Sequence, residues 1–151
     1  MGMTSIGARA LRTRWFVRSP IPLFRAGLGF LFGGRLLLLQ HTGRKSGEPR
    51  YVALETVERP DRNRVIIASG FGRSSQWFRN LQADPRCRVW IGFDRDRPAT
   101  ARVLTPQESV AVLDRYRREH PKAYAELAGV IEESTGLPID QIPYLELTLD
   151  R

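Results

Sequence analysis

Six short runs of strand-forming residues, punctuated by turn signals, constrain this chain more than any other feature. Residues 35–40, RLLLLQ, read as a buried strand, and 50–58, RYVALETVE, alternate in the manner of a half-buried one. Pro60-Asp61-Arg62-Asn63 reads as a turn into 64–69, RVIIAS. Residues 87–93, CRVWIGF, and 98–104, PATARVL, predict a hairpin around Asp94-Arg95-Asp96-Arg97, and 143–149, PYLELTL, alternate as a last strand. Helical patterns fill the gaps. In 74–83, SSQWFRNLQA, a serine can cap and Trp77, Phe78 and Leu81 share a face. Thr105-Pro106-Gln107-Glu108 signals a helix start running to about His120, and Pro121 opens another that Gly136 closes. Short strands with a long gap before the last favour a closed or partly open antiparallel barrel with helices outside, a mainly β (α+β) fold.

Charge is distributed unevenly over the 151 residues. The formal net charge is +8, and all of it belongs to residues 1–47, where Glu48 has not yet supplied the first carboxylate. An anionic partner is expected there. Residues 6–18, IGARALRTRWFVR, read as a basic amphipathic helix, and 21–32, IPLFRAGLGFLF, as a surface or interfacial segment. That apolar stretch falls short of the roughly 20 residues a membrane-spanning helix needs, and its prolines and Arg25 make a poor signal peptide. The expected division is a basic and apolar helical segment at 1–33 and a barrel at 34–151. Cys87 is the single cysteine and the two histidines, His41 and His120, are far apart, which argues against a disulfide framework or a metal site. A cytoplasmic setting fits.

Two stretches carry the chemistry. HTGRKSGEPR, residues 41–50, joins two strands with far more charge than a turn requires. It is no Walker loop, because position 38 is leucine where the first glycine belongs. Arg44, Lys45 and Arg50 still offer charge-assisted hydrogen bonds and Ser46 a hydroxyl, so the loop reads either as an anion cradle or as a solvated hairpin. ASGFGRSSQWFRNL, residues 68–81, runs from a strand through Gly70 and Gly72 into a helix start, a second place suited to an anion. The rest of a dinucleotide fingerprint is missing, and Trp77 and Phe78 suit a core.

Together, LLQHTGRKSGEPRYVAL and VIIASGFGRSSQWFRNLQADPRCRVWIG resemble the deazaflavin-dependent nitroreductase family. Its specific motifs, T-G-R-K-S-G and S-x-x-G…W-x-x-N-L-x-A-x-P, fall within residues 35–105; the last third fits in length and pattern. The resemblance implies a split β-barrel and binding of coenzyme F420, whose reduced form passes a hydride to an electron-poor acceptor, quinone-like or, fortuitously, nitroaromatic. It places Arg44, Lys45, Ser46, Gly47 and Arg50 at the cofactor's phosphate and acidic tail. It places Ser69, Gly70, Phe71, Gly72 and Arg73 beside the deazaflavin ring, with Trp77 and Asn80 on the helix behind. Many relatives carry S-K-G-G and a longer approach to the tryptophan; here the loop is shorter and the lysine is absent, so that either Arg73 replaces its charge or the loop grips differently. FMN on the same fold is therefore the alternative cofactor.

Hydride transfer asks a protein for orientation, exclusion of water and polarisation of the acceptor. Ser69 is the expected hydrogen-bond donor to an acceptor oxygen, and Tyr116, Tyr124 and Tyr144 are candidate proton donors or lid aromatics. His41 suits packing or capping better than catalysis. The expected partners are a small hydrophobic acceptor, a second copy of the chain, and an anionic membrane met peripherally through residues 6–32 at the inner face of the cell membrane. The reading from another class is a non-catalytic module that binds anionic membranes. Nucleic acid fits poorly, since aromatic and basic residues do not interleave along the strands.

Overall fold

A computed structural model of the protein describes residues 21–25 and 35–150. The basic segment 6–18 lies outside the described residues. Six antiparallel strands close into a barrel: β1 (Leu36–Thr42), β2 (Pro49–Asp61), β3 (Arg64–Ala68), β4 (Arg86–Ile91), β5 (Asp94–Val103) and β6 (Tyr144–Leu149). The order around the barrel is β1-β2-β3-β6-β5-β4, so the last strand inserts between β3 and β5 and the first pairs with β4. Among the described residues four α-helices accompany it: α1 (Ile21–Arg25), α2 (Gln76–Ala83), α3 (Pro106–Glu119) and α4 (Pro121–Thr135).

The two-residue period of the strands sets which side chains fill the barrel. Leu37 and Leu39 face inward opposite Leu54 and Val52, and meet Val65, Ile67, Val89, Leu145 and Leu147. Burying each of these contributes roughly 1.5–3 kcal/mol. One end of the barrel is plugged by α2, whose Trp77, Phe78 and Leu81 join the same cluster. Outward-facing Ile66 and Tyr144 pack instead under α3 and α4, with Val112, Leu113, Tyr116 and Ile131. Outward-facing Leu38 and Trp90 are covered by Phe24 of α1, which is fully buried.

Two boundaries differ from the sequence expectation. β2 runs on through Pro60 to Asp61, accommodated by register shifts between Thr56 and Asp61, and the turn shrinks to Arg62-Asn63. The β4–β5 turn is Gly92-Phe93 rather than Asp94–Arg97. Asp94 to Arg97 already belong to β5, where Asp96 takes a positive φ of 51° at a register shift, and Asp94 and Arg97 are bonded to each other.

Candidate active site

The β1–β2 connection, the β3–α2 connection and the start of α2 lie at the same end of the barrel and rim one groove. The groove encloses about 1920 Å³. Its floor is the outer face of β2, including Ala53 and Val57, and its far wall is α3 and α4, through Tyr116, Ala123, Leu127 and Val130. The loops placed together from opposite sides of the sequence thus share one cavity.

The cationic side is a tight hairpin. Gly43 N–H donates to the Glu48 carbonyl and Gly47 N–H to the Gly43 carbonyl, both at 2.8 Å. Gly47 holds φ at 72°, a conformation a side chain resists. Ser46 Oγ accepts from Glu48 N–H at 3.2 Å, which leaves its own hydrogen to donate. Lys45, Ser46 and Arg50 are exposed along the groove and Arg44 is half-buried.

Behind the hairpin, Asn80 is almost wholly buried. Its Oδ1 accepts from the Arg44 backbone N–H at 3.1 Å and from Arg44 Nη1 at 2.8 Å. Its Nδ2 lies 3.0 Å from His41 Nδ1. Burial, and then the positive charge of Arg50 on the opposing strand, push the His41 pKa down to about 4, so the imidazole is neutral at physiological pH.

The second loop is built from its own hydrogen bonds. Ser69 N–H donates to the Pro143 carbonyl at 2.9 Å, Gly72 N–H to the Ser69 carbonyl at 2.8 Å, and Ser69 Oγ–H to the Gly72 carbonyl at 2.6 Å. Gly72 needs its φ of 85°, and Ser134 Oγ on α4 donates to the Gly70 carbonyl at 3.0 Å. Gly70 and Phe71 face the groove, and Phe71 is exposed there. Ser74, Ser75 and Gln76 continue the rim into α2, where no side chain caps the first turn. Trp77 both lines the groove and belongs to the core, edge-on to Phe78.

The structure thus brings Arg44, Lys45, Ser46, Arg50, Gly70, Phe71, Trp77, Asn80 and Tyr116 to one groove. Gly47, Gly72 and Arg73 shape or flank its loops without lining it. Ser69 departs from its expected role: it is fully buried, its hydroxyl is spent on Gly72, and it does not reach the cavity. Tyr144 departs likewise, fully buried with its hydroxyl donating to the Ile139 carbonyl at 2.6 Å; burial pushes its pKa up. Tyr124 stands behind Tyr116, ring centroids 6.4 Å apart, outside the lining. Sequence reasoning gave His120 no part in the site, yet it joins α3 to α4 at the groove wall, 5.9 Å from the Tyr116 ring. Its only sequence signal was its position before Pro121 at a helix junction. Among the described residues no His, Cys, Asp and Glu cluster suits a metal ion, and no helix is long and apolar enough to cross a membrane.

Comparison with known proteins agrees with this architecture. A Mycobacterium tuberculosis H37Rv protein, named provisionally as an F420H(2)-dependent quinone reductase, is 41% identical over 87 residues, 56% of this chain and 71% of the relative. The solved structure of an F420-H2 dependent reductase, FDR-A, is similar with a TM-score of 0.53 and 28% identity, covering 75% of this chain and 93% of that one. A further structure, described as a domain-swapped dimer, is similar with a TM-score of 0.55 and 25% identity, covering 90% of this chain and 98% of that one. The model of one protein family, described as F420H(2)-dependent quinone reductase, matches residues 23–140, a span that includes both groove loops and both wall helices. An oxidoreductase built on this barrel, the chain belongs to the F420H(2)-dependent quinone reductase family.

Proposed function

We propose that the protein binds coenzyme F420 in the groove and reduces a hydrophobic, electron-poor acceptor there. The observation that carries this reading is the convergence of the 43–50 and 69–77 loops on one cavity with a cationic end and an apolar floor. The residues fit such a cofactor. Lys45, Arg50 and the free face of Arg44 are suited to its phosphate and acidic tail, with Ser46 donating beside them. Gly70, Phe71 and Trp77 are suited to border its ring. Single-ligand pockets run to roughly 300–1,000 Å³, so a groove of about 1920 Å³ has room for cofactor and acceptor together.

When bound, the reduced deazaflavin supplies a hydride to a quinone-like acceptor, or fortuitously to a nitroaromatic one. The chain contributes orientation and exclusion of water. Ala53, Val57, Leu127 and Val130 offer the acceptor an apolar bed. Tyr116 is the tyrosine best placed to polarise it, with Tyr124 packed behind; Ser69 holds the loop instead. A second copy of the chain is a natural partner, a reading supported by the similar structure described as a domain-swapped dimer. We further read residues 6–18 as the part that meets anionic lipid, near which a quinone-like acceptor would reside.

Fluorescence titration tests the cofactor reading. The full chain is expected to bind F420 and not FMN, and Lys45→Ala with Arg50→Ala to weaken that binding by roughly a hundredfold or more, since each charge-assisted hydrogen bond is worth about 1.5–3 kcal/mol. Equal affinity in the double variant, or binding of FMN alone, would overturn it.

A further inference from the structure

We propose that His41, Asn80 and Arg44 form a positioning relay, in which a buried neutral imidazole fixes the Asn80 amide so that its oxygen holds Arg44, and with it the anion-binding hairpin, in a preset shape. The inference rests on the reading of that hairpin as the site of the cofactor's phosphate and acidic tail. It moves Asn80 from cofactor contact to positioning residue.

The chemistry of the donors determines the arrangement. The Arg44 backbone N–H and guanidinium can only donate, so the Asn80 atom 3.1 and 2.8 Å from them must be the oxygen. The amide nitrogen then faces His41 Nδ1 at 3.0 Å. That nitrogen also only donates, so Nδ1 must be bare and the ring proton must sit on Nε2. A proton on Nδ1 would oppose two donors and turn the amide, exchanging its oxygen for NH₂ in front of Arg44. All of this happens out of water: Asn80 is 4% exposed and His41 5%.

The sequence separations show what the relay connects. Asn80 is 36 residues from Arg44 and 39 from His41, on the helix that plugs the barrel. His41 ends β1 just before the hairpin begins. Chelating both the backbone and the side chain of Arg44 removes rotamer freedom before any ligand arrives, which raises affinity by lowering the cost of ordering. One guanidinium hydrogen is spent on Asn80 and four remain for an anion.

The test uses the full chain, with intact F420 and its ring-and-ribityl fragment lacking phosphate and tail as probes. Asn80→Ala is expected to weaken intact cofactor tenfold or more and to leave the fragment's affinity unchanged. Asn80→Asp keeps an acceptor for Arg44 but sets a carboxylate against Nδ1. The His41 titration, followed by NMR, should then rise by two pH units or more. Equal losses for both probes in Asn80→Ala, or an unmoved His41 titration in Asn80→Asp, would overturn the relay. If Asn80→Ala does not fold, the Asp variant decides alone. If the wild type binds intact cofactor no tighter than the fragment, the anion-site reading fails, and the His41 titration still reports on the relay separately.

Discussion

His41 links the site to stability as well as to binding. Its pKa is lowered from 6.5 to about 4, chiefly by burial and secondly by Arg50. Between those values the unfolded chain binds a proton that the folded chain refuses, so this group's contribution is complete above pH 6.5 and is lost as pH falls toward 4. The full loss is on the order of 3 kcal/mol. Denaturant unfolding from pH 7 to pH 4 should therefore be steeper in wild type than in His41→Gln, whose amide oxygen can still accept from Asn80. Identical slopes would show that His41 is not the group responsible. Residue types alone pointed to His41 as a packing or capping group, and its burial at the end of β1 agrees. They could not show where a hydroxyl points. Ser69 and Tyr144 carry the right chemistry for a donor, yet backbone carbonyls a few residues away, Gly72 and Ile139, take up both hydrogens.

Capping of α3 decides how firmly the Tyr116 wall stands. Thr105 Oγ1 accepts from Glu108 N–H at 3.2 Å, and Glu108 Oε1 accepts from Thr105 N–H at 2.9 Å. Thr105→Ala should lower unfolding stability by about 1 kcal/mol. Glu108 also holds Arg102 by two bonds at 2.8 and 2.9 Å, an exposed pair. Glu108→Gln keeps an oxygen for the cap and gives up only the ion pair, so it should cost less than Thr105→Ala. The reverse ranking in chemical denaturation would shift the weight to the ion pair. This helix start was readable because its signal is local: capping residue, proline and glutamate lie within four positions. The β4–β5 turn was misplaced for the opposite reason. Asp94-Arg95-Asp96-Arg97 has the composition of a turn, but distant partners draw it into a strand: Arg59 reaches Asp94 at 3.2 Å and Arg97 reaches Asn63 at 3.0 Å. No short window of sequence contains those partners.

Across the whole molecule, the period-two runs made the six strands legible and the spacing of the last run pointed to a barrel, while the cleft between the outer face of β2 and the α3–α4 pair arises only when distant elements meet. The same contrast separates two roles in the basic, apolar N-terminal third. Phe24 is fully buried against Leu38 and Trp90, and Arg25 lies 5.1 Å from the Tyr51 ring centroid, so Phe24 covers the barrel and is not available to lipid. On our reading, membrane attraction comes from the basic segment before it, where Arg9, Arg12, Arg14 and Arg18 accompany Trp15 and Phe16. Phe24→Ala should cost about 3 kcal/mol in unfolding stability and leave sedimentation with anionic vesicles unchanged. Deleting residues 1–20 should abolish that sedimentation and preserve the stability of the barrel. If Phe24→Ala releases the protein from vesicles while its fold remains intact, or if the deletion sediments as well as the full chain, the surface that meets lipid lies elsewhere and the separation of roles at residue 20 is wrong.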